Sequence, residues 1–436
     1  MEIAFSAPEY QADGSFIEAA YEFSGAPQSG WEIRRNGASH LSLGEGYQLL
    51  KTTACGVCST DLARQFLPFP LPQVTGHEVL ATDNSNNRLV VEINASHRAR
   101  GLKTDCPFCN GGLHTHCPDR VVLGIHDLPG GFGPHILAPA NAILPVPESI
   151  PSSAAVLVEP LAAAINAVDM INPQAGETIA VLGPRRLGML VVAALGAHRQ
   201  TSGIDFRILA LARHDHLLDL SREFGATETI FVEGDGSSLP AALADVVIDT
   251  TGNPEALDLA IRLARREVHL KSTHGRPSAG LNHLTELVVD ELRIGRFEGA
   301  IPEGKSVRST SNEPVREPMS RTDIAVVDGA EHVDRVIRPS SENEISLVKP
   351  RGQILLRPDA ARDSESLLVR EVAERGLVLS SSRCGDFRRA IQLLADNEEL
   401  RSVGDKLITQ RFDNMDMNRV FEIARSAGCI KAVVDL

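Results

Sequence analysis

The sequence predicts an α/β protein of two domains: a doubly wound parallel sheet and a β-rich domain. Three observations carry this expectation. At 436 residues the chain exceeds one ordinary core. Its first 150 residues are rich in Gly, Pro and His, with short strand-like runs. Beyond Ser152 short apolar strands alternate with helices, the rhythm of a parallel sheet covered on both faces.

In order, Arg88 to Ile93 and Ala142 to Val146 are strand-like runs of the first part, and Pro145, Pro147 and Pro151 punctuate its end. Ala154 to Met170 is apolar and Ala-rich, a helix with an expected break at Pro160. Strands follow at Thr178 to Leu182, Arg207 to Leu211, Ala244 to Asp249 and Val268 to Lys271. The helices between them are Leu187 to Ala197, Leu217 to Phe224 and Glu255 to Ala264, the last after the turn Gly252-Asn253-Pro254. The β-rich domain is expected at residues 1–165 and 386–436, and the nucleotide domain at 166–385 with an insertion at about 295–375.

Within that insertion Pro302 to Arg321 is polar and reads as a mobile loop. The remainder echoes an earlier stretch at an offset of about eighty residues. Asp323 to Asp328 resembles Asp245 to Asp249, Gln353 to Arg357 sits where Val268 to Lys271 did, and Leu367 to Glu374 parallels Leu287 to Ile294. A duplicated strand-helix-strand unit and chance likeness are both open readings.

Composition excludes several classes. Hydrophobic residues at 43% and charged residues at 23% suit a soluble globular enzyme. A formal charge of −14 argues against a nucleic-acid partner, which needs clustered Lys and Arg. No apolar run reaches about 18 residues and the N-terminus has no secretory pattern, so a cytoplasmic protein without a membrane partner is expected. The seven cysteines are odd in number, and five lie between Cys55 and Cys117. That clustering reads as metal ligation rather than disulfides.

The densest chemical signal is Ala54-Cys55-Gly56-Val57-Cys58-Ser59-Thr60-Asp61, followed by Gly76-His77-Glu78. A catalytic zinc takes a thiolate, an imidazole and one more protein ligand, leaving a position open. Cys58, His77 and a carboxylate supply that set. Thr60 is placed to relay a proton from a zinc-bound alcohol, and Asp61 to orient an imidazole. Cys55 reads as a packing residue.

The order of motifs resembles the medium-chain dehydrogenase/reductase superfamily, in its zinc-containing alcohol, polyol and threonine dehydrogenase branch. The motifs are Cys58-Ser-Thr60-Asp61, Gly76-His77-Glu78, Val158-Glu159-Pro160-Leu161, Val181-Leu182-Gly183 and Leu270-Lys271-Ser272-Thr273. The resemblance implies a GroES-like catalytic domain beside a Rossmann domain, with the active site in the cleft between them. It implies zinc on Cys58, His77 and Glu159, with Glu78 close enough to exchange, and Thr60 as the hydroxyl in the proton path. It departs at Ala63, where similar chains often carry a relay histidine.

The resemblance also implies a structural zinc. Cys106, Cys109 and Cys117 match three of four cysteines, and the fourth position falls on Lys103 or, with six extra residues, on His97. Glu92-Ile-Asn-Ala-Ser-His97 favours His97, with Asp105, His114 and His116 as rivals.

A nicotinamide dinucleotide binds where a strand turns through glycines into a helix, with the pyrophosphate at the helix N-terminus. Here that turn is Gly183-Pro184-Arg185-Arg186-Leu187-Gly188, with Arg185 in place of the second glycine. Either the turn has lost its ligand, or Arg185 swings aside and pairs with a phosphate. Thr250-Thr251-Gly252 completes the expected site. The second strand ends at Ala212-Arg213-His214 with no acidic residue for ribose hydroxyls, so NADP is preferred to NAD, with Arg213 on the 2′-phosphate.

These readings converge on hydride transfer between an alcohol or polyol, or the matching carbonyl, and NAD(P), in a homodimer or homotetramer. The rival is a non-catalytic relative of the same fold, acting as a binding or scaffold protein.

Overall fold

The computed structural model describes residues 1–271, 274–309, 321–339, 346–361, 364–413 and 416–436. Ser272 and Thr273 of the fifth motif, and most of the polar stretch Pro302 to Arg321, lie outside the described residues. The chain divides into two compact units, Met1–Ala162 with Asp386–Leu436, and Ala163–Gly385.

The first unit holds two larger sheets. Glu2–Tyr10, Phe16–Ala26, Gly30–Arg35 and Ala38–Leu43 make an antiparallel meander. In the second sheet Tyr47–Gly56 is central, flanked by Glu78–Thr82 and by the C-terminal strand Lys431–Asp435. The register sets Gly56 opposite Glu78 on one side and Val433 on the other. The C-terminal strand therefore meets the cysteine motif where the motif leaves its strand.

The helix Val158–Ile171 runs through Pro160 rather than breaking there. Proline in a first turn removes no internal helix bond, because that N–H has no partner inside the helix anyway. The interruption comes earlier, after the short helix Ser152–Ala155.

The second unit is a ten-stranded sheet. Its strands are β1 (Thr178–Leu182), β2 (Arg207–Ala212), β3 (Glu228–Phe231), β4 (Ala244–Asp249) and β5 (Ala264–Leu270). Then come β6 (Arg293–Arg296), β7 (Val307–Ser309), β8 (Thr322–Val327), β9 (Val348–Leu356) and β10 (Val378–Ser381). Helices α1 (Arg186–Ser202), α2 (Asp215–Glu223), α3 (Pro254–Leu263), α4 (Leu284–Val289), α5 (Ala330–Ile337) and α6 (Leu367–Arg375) connect them. The order is β3-β2-β1-β4-β5-β10-β6-β9-β8-β7, parallel except where β10 meets β6. A doubly wound sheet places its ligand at the carboxyl ends where strand order reverses, here between β1 and β4.

The register resolves the internal echo. Val246, Glu267 and Val378 lie side by side across β4, β5 and β10, and Ile324, Gln353 and Arg293 lie side by side across β8, β9 and β6. The run β4-α3-β5-α4-β6 is thus repeated as β8-α5-β9-α6-β10, with the last strands exchanged: β6 completes the second copy and β10 the first. One pairing in the sequence reading is corrected. Leu367 to Glu374 matches helix α4, not the stretch Leu287 to Ile294, which straddles a helix and the strand after it.

Candidate active site and metal centre

Cys58 caps the short helix Ser59–Leu62, and its backbone N–H donates to Asp61 Oδ2 at 2.8 Å. Asp61 is 1% exposed; its other oxygen accepts from the Gly76 N–H at 3.2 Å and stands 3.4 Å from His77 Nδ1. One carboxylate therefore ties the cysteine turn to the histidine turn. Cys58 is near enough to the His77 ring to act on its charge. Burial alone would pull the imidazole pKa down, but Asp61 and Cys58 beside it outweigh burial and hold it well above 6.5. Thr60 is half-buried in the same short helix.

Glu78 is 1% exposed and forms an ion pair with Lys431 Nζ, which also donates to the Val57 carbonyl at 3.1 Å. Gly56 makes room for this pair: a Cβ there would stand 2.1 Å from Glu78 Oε2 and 3.1 Å from Lys431 Cε. Sequence reasoning missed Lys431, for which the only signal was a basic residue entering an apolar terminal strand. Glu159 is half-buried in the first turn of its helix. It does not join Cys58 and His77 in a tight three-ligand group among the described residues. Cys55 is wholly buried, its Sγ reaches only the Gly56 carbonyl at 3.7 Å, and burial raises its thiol pKa well above 9.0.

A second cluster is closed. The ligand atoms of His97, Cys106, Cys109 and Cys117 all lie within 4.8 Å of one another. Cys117 Sγ is 3.3 Å and Cys109 Sγ 3.9 Å from His97 Nδ1, and Cys106 Sγ is 4.0 Å from Cys117 Sγ. Zinc bonds of 2.0–2.3 Å at tetrahedral angles require ligand separations of roughly 3.5–3.8 Å, so this donor set fits a zinc ion. His97 opens the helix His97–Arg100, capped by Ser96 at one end and Gly101 at the other. That extra turn carries the imidazole back to the three sulfurs, while its Nε2 faces Asp119 at 3.8 Å. The rivals are placed elsewhere: Lys103 and Asp105 are exposed, His114 lies 3.6 Å from Glu92, and His116 Nδ1 lies 3.2 Å from the Thr115 hydroxyl.

In the second unit β1 turns through Gly183 (φ +79°) into α1. A Cβ on Gly188 would lie 2.3 Å from Thr250 Oγ1 and 2.7 Å from the Gly183 carbonyl, so only glycine lets α1 seat against the loop. Thr250 Oγ1 donates to the Leu182 and Gly183 carbonyls, and Thr251 bonds Asp249 Oδ1 through its N–H and hydroxyl. Gly252 follows at φ +67°. Arg185 sits half-buried at the helix entrance. Arg213 and His214 are exposed just past the carboxyl end of β2, and the His214 ring stacks on His216.

Residues 44–148 match the family model described as the alcohol dehydrogenase GroES-like domain. Three curated dehydrogenases match across the larger part of their length. The L-threonine 3-dehydrogenase of Bacillus velezensis is 26% identical over 54% of this chain and 72% of its own. The sorbitol dehydrogenase of Bacillus subtilis is 26% identical over 59% and 77%, and the L-galactonate-5-dehydrogenase of Escherichia coli 29% over 51% and 67%. Residues 44–148 therefore carry the pattern of that domain, and the chain is similar to threonine, sorbitol and galactonate dehydrogenases.

The fold is similar to that of solved dehydrogenases. An alcohol dehydrogenase of Escherichia coli CFT073 in complex with NADH superposes at TM-score 0.60, covering 99% of both chains at 18% identity. The L-idonate 5-dehydrogenase of Escherichia coli superposes at 0.58, covering 100% of this chain and 99% of that one at 15% identity. These two likenesses show the fold. Among the described residues no helix is long and apolar enough to cross a membrane.

Proposed function

We propose that this chain is a zinc-dependent dehydrogenase that moves a hydride between an alcohol or polyol, or the matching carbonyl, and NAD(P). The observation that carries the reading is the Asp61 carboxylate, which accepts from the Cys58 N–H at 2.8 Å through one oxygen and stands 3.4 Å from His77 Nδ1 through the other. Cys58 and His77 would hold the catalytic zinc with Glu159 as third ligand, and His97, Cys106, Cys109 and Cys117 a structural zinc. The names of the threonine, sorbitol and galactonate dehydrogenases among its relatives support hydroxyl-bearing substrates.

Bound zinc supplies Lewis-acid polarisation of the substrate oxygen, and the dinucleotide accepts or donates the hydride. The chain's own residues do the rest. Asp61 fixes the orientation of His77. Thr60 accepts the hydroxyl proton and passes it on. Lys431 holds Glu78 on its own side of the strand, leaving it as a reserve carboxylate. The N–H groups at the start of α1 and the Arg185 guanidinium bind pyrophosphate, and Arg213 binds a 2′-phosphate.

Fluorescence titration with NADH and NADPH tests the reading. Binding of either in the micromolar range is expected, and absence of both would leave the scaffold alternative standing. Arg213→Ala should weaken NADPH binding about tenfold, the worth of one charge-assisted phosphate contact, and leave NADH unchanged; an equal effect on both removes Arg213 from the phosphate site. His97→Ala should lower the zinc content of purified protein by about one ion per chain, measured by elemental analysis. An unchanged content refutes the four-ligand site.

A further inference from the structure

Strands covered on both faces of a parallel sheet are near-continuous apolar runs. β1 obeys this rule from Ile179 to Leu182. β5 and β10 do not: Glu267, His269 and Lys271 alternate along β5 and just past its end, opposite Ser380 and Ser382, and all five are at least nine-tenths buried. Buried polar groups of this kind cost stability relative to apolar packing. The sheet does not need them for register, since the second repeat puts Gly295 and Leu355 where the first has Ser380 and His269.

Counting hydrogens gives every bond in this row a direction. Ser380 Oγ donates its single hydrogen to Glu267 Oε1. Toward His269 Nδ1, 2.8 Å away, Ser380 can then only accept, so Nδ1 carries the ring hydrogen. The ring is neutral, because burial, with Lys271 and Arg293 adding to it, pushes its pKa down to about 3. Nε2 therefore accepts from Ser382 Oγ at 2.8 Å, and Ser382 accepts from Lys271 Nζ at 3.3 Å. At the far end Glu267 Oε2 is bound by the partly exposed Arg266, which also reaches Glu177.

We propose that Lys271, Ser382, His269, Ser380 and Glu267 form a proton path through the sheet, spanning roughly 13 Å of strand from its carboxyl edge to the side where Arg266 meets solvent. The proposal rests on the dehydrogenase reading, in which each alcohol oxidation releases one proton besides the hydride. In one passage Lys271 gives a proton to Ser382, Ser382 gives its own to Nε2, Nδ1 gives its proton to Ser380, and Ser380 gives its own to the Glu267 carboxylate. Lys271 ends neutral and ready to take a proton from water at the carboxyl edge, while Glu267 ends protonated and discharges to water beside Arg266. Rotation of the two hydroxyls and a turn of the imidazole restore the starting arrangement.

The test follows solvent exchange of the His269 Nδ1 hydrogen in the full chain labelled with 15N-histidine, the signal assigned by its loss in His269→Gln. A conducting row exchanges this hydrogen at least tenfold faster than the equally buried backbone amides of β5. Ser380→Ala should slow that exchange at least tenfold, and Ser380→Thr should restore it. Exchange as slow as the β5 amides overturns the proposal. So does faster exchange in Ser380→Ala, the result a merely structural network would give when weakened. Titration of NADH and NADPH on the same samples keeps the two ideas apart: loss of all dinucleotide binding in the parent protein sinks the dehydrogenase reading, whereas the exchange rates judge the path itself.

Discussion

Lys431→Met is expected to lower the stability of the first unit by about 3–5 kcal/mol, because it leaves the Glu78 carboxylate buried without its cation. The site offers no easy relief. Glu78 is 1% exposed, and the β-strand backbone on either side is already paired. The size of the effect comes from stranding one charge rather than from the worth of the pair, so removing both charges should undo most of it. The double variant Glu78→Gln with Lys431→Met is expected within about 1–2 kcal/mol of the parent. Urea midpoints measure both. A single variant as stable as the parent would mean that water reaches Glu78 and that the pair is not closed.

Cys58→Ser is expected to abolish turnover by a factor of about a thousand or more while leaving the fold intact. Loss of a Lewis acid that contributes several kcal/mol to the transition state corresponds to a rate loss of that order. Serine keeps the size of the side chain and the backbone N–H that Asp61 binds, so the turn holding it should persist. Zinc content should fall by about one ion per chain, and circular dichroism should not change. The measurement is steady-state turnover in a metal-replete screen of alcohols, polyols and aldehydes with both dinucleotides. Full activity in a variant that has lost the metal would remove Cys58 from the chemistry.

Much of the fold was legible because its core strands are apolar runs bounded by turns. Thr178 to Leu182 and Ala244 to Asp249 stand where the sequence placed them, since nothing in those segments competes with the strand reading. β5 was less legible. It begins at Ala264, four residues before the expected start at Val268, because Arg265 and Arg266 are exposed charged residues that carry no apolar strand signal. The exchange of β6 and β10 was invisible for a related reason: local pattern gives the period of a strand but not which of two similar partners it chooses. At the candidate metal sites, residue type and spacing brought out Cys58, His77 and the three sulfurs. Lys431 escaped because its partner lies near the opposite end of the chain. His269 escaped because an imidazole in an apolar stretch gives no sign of which hydroxyls will face it.

The strand exchange has a bearing on synthesis. β5 cannot acquire its outer neighbour β10 until Ser381 has left the ribosome, although every other strand of the first copy is made by Leu270. Meanwhile β6 has a near-identical vacancy beside β5 within reach, the slot that β10 will take. Emergence of the nascent chain thus offers a wrong partner before the right one. In the finished sheet β10 takes that slot, with Ser380 bonded to His269 and Glu267.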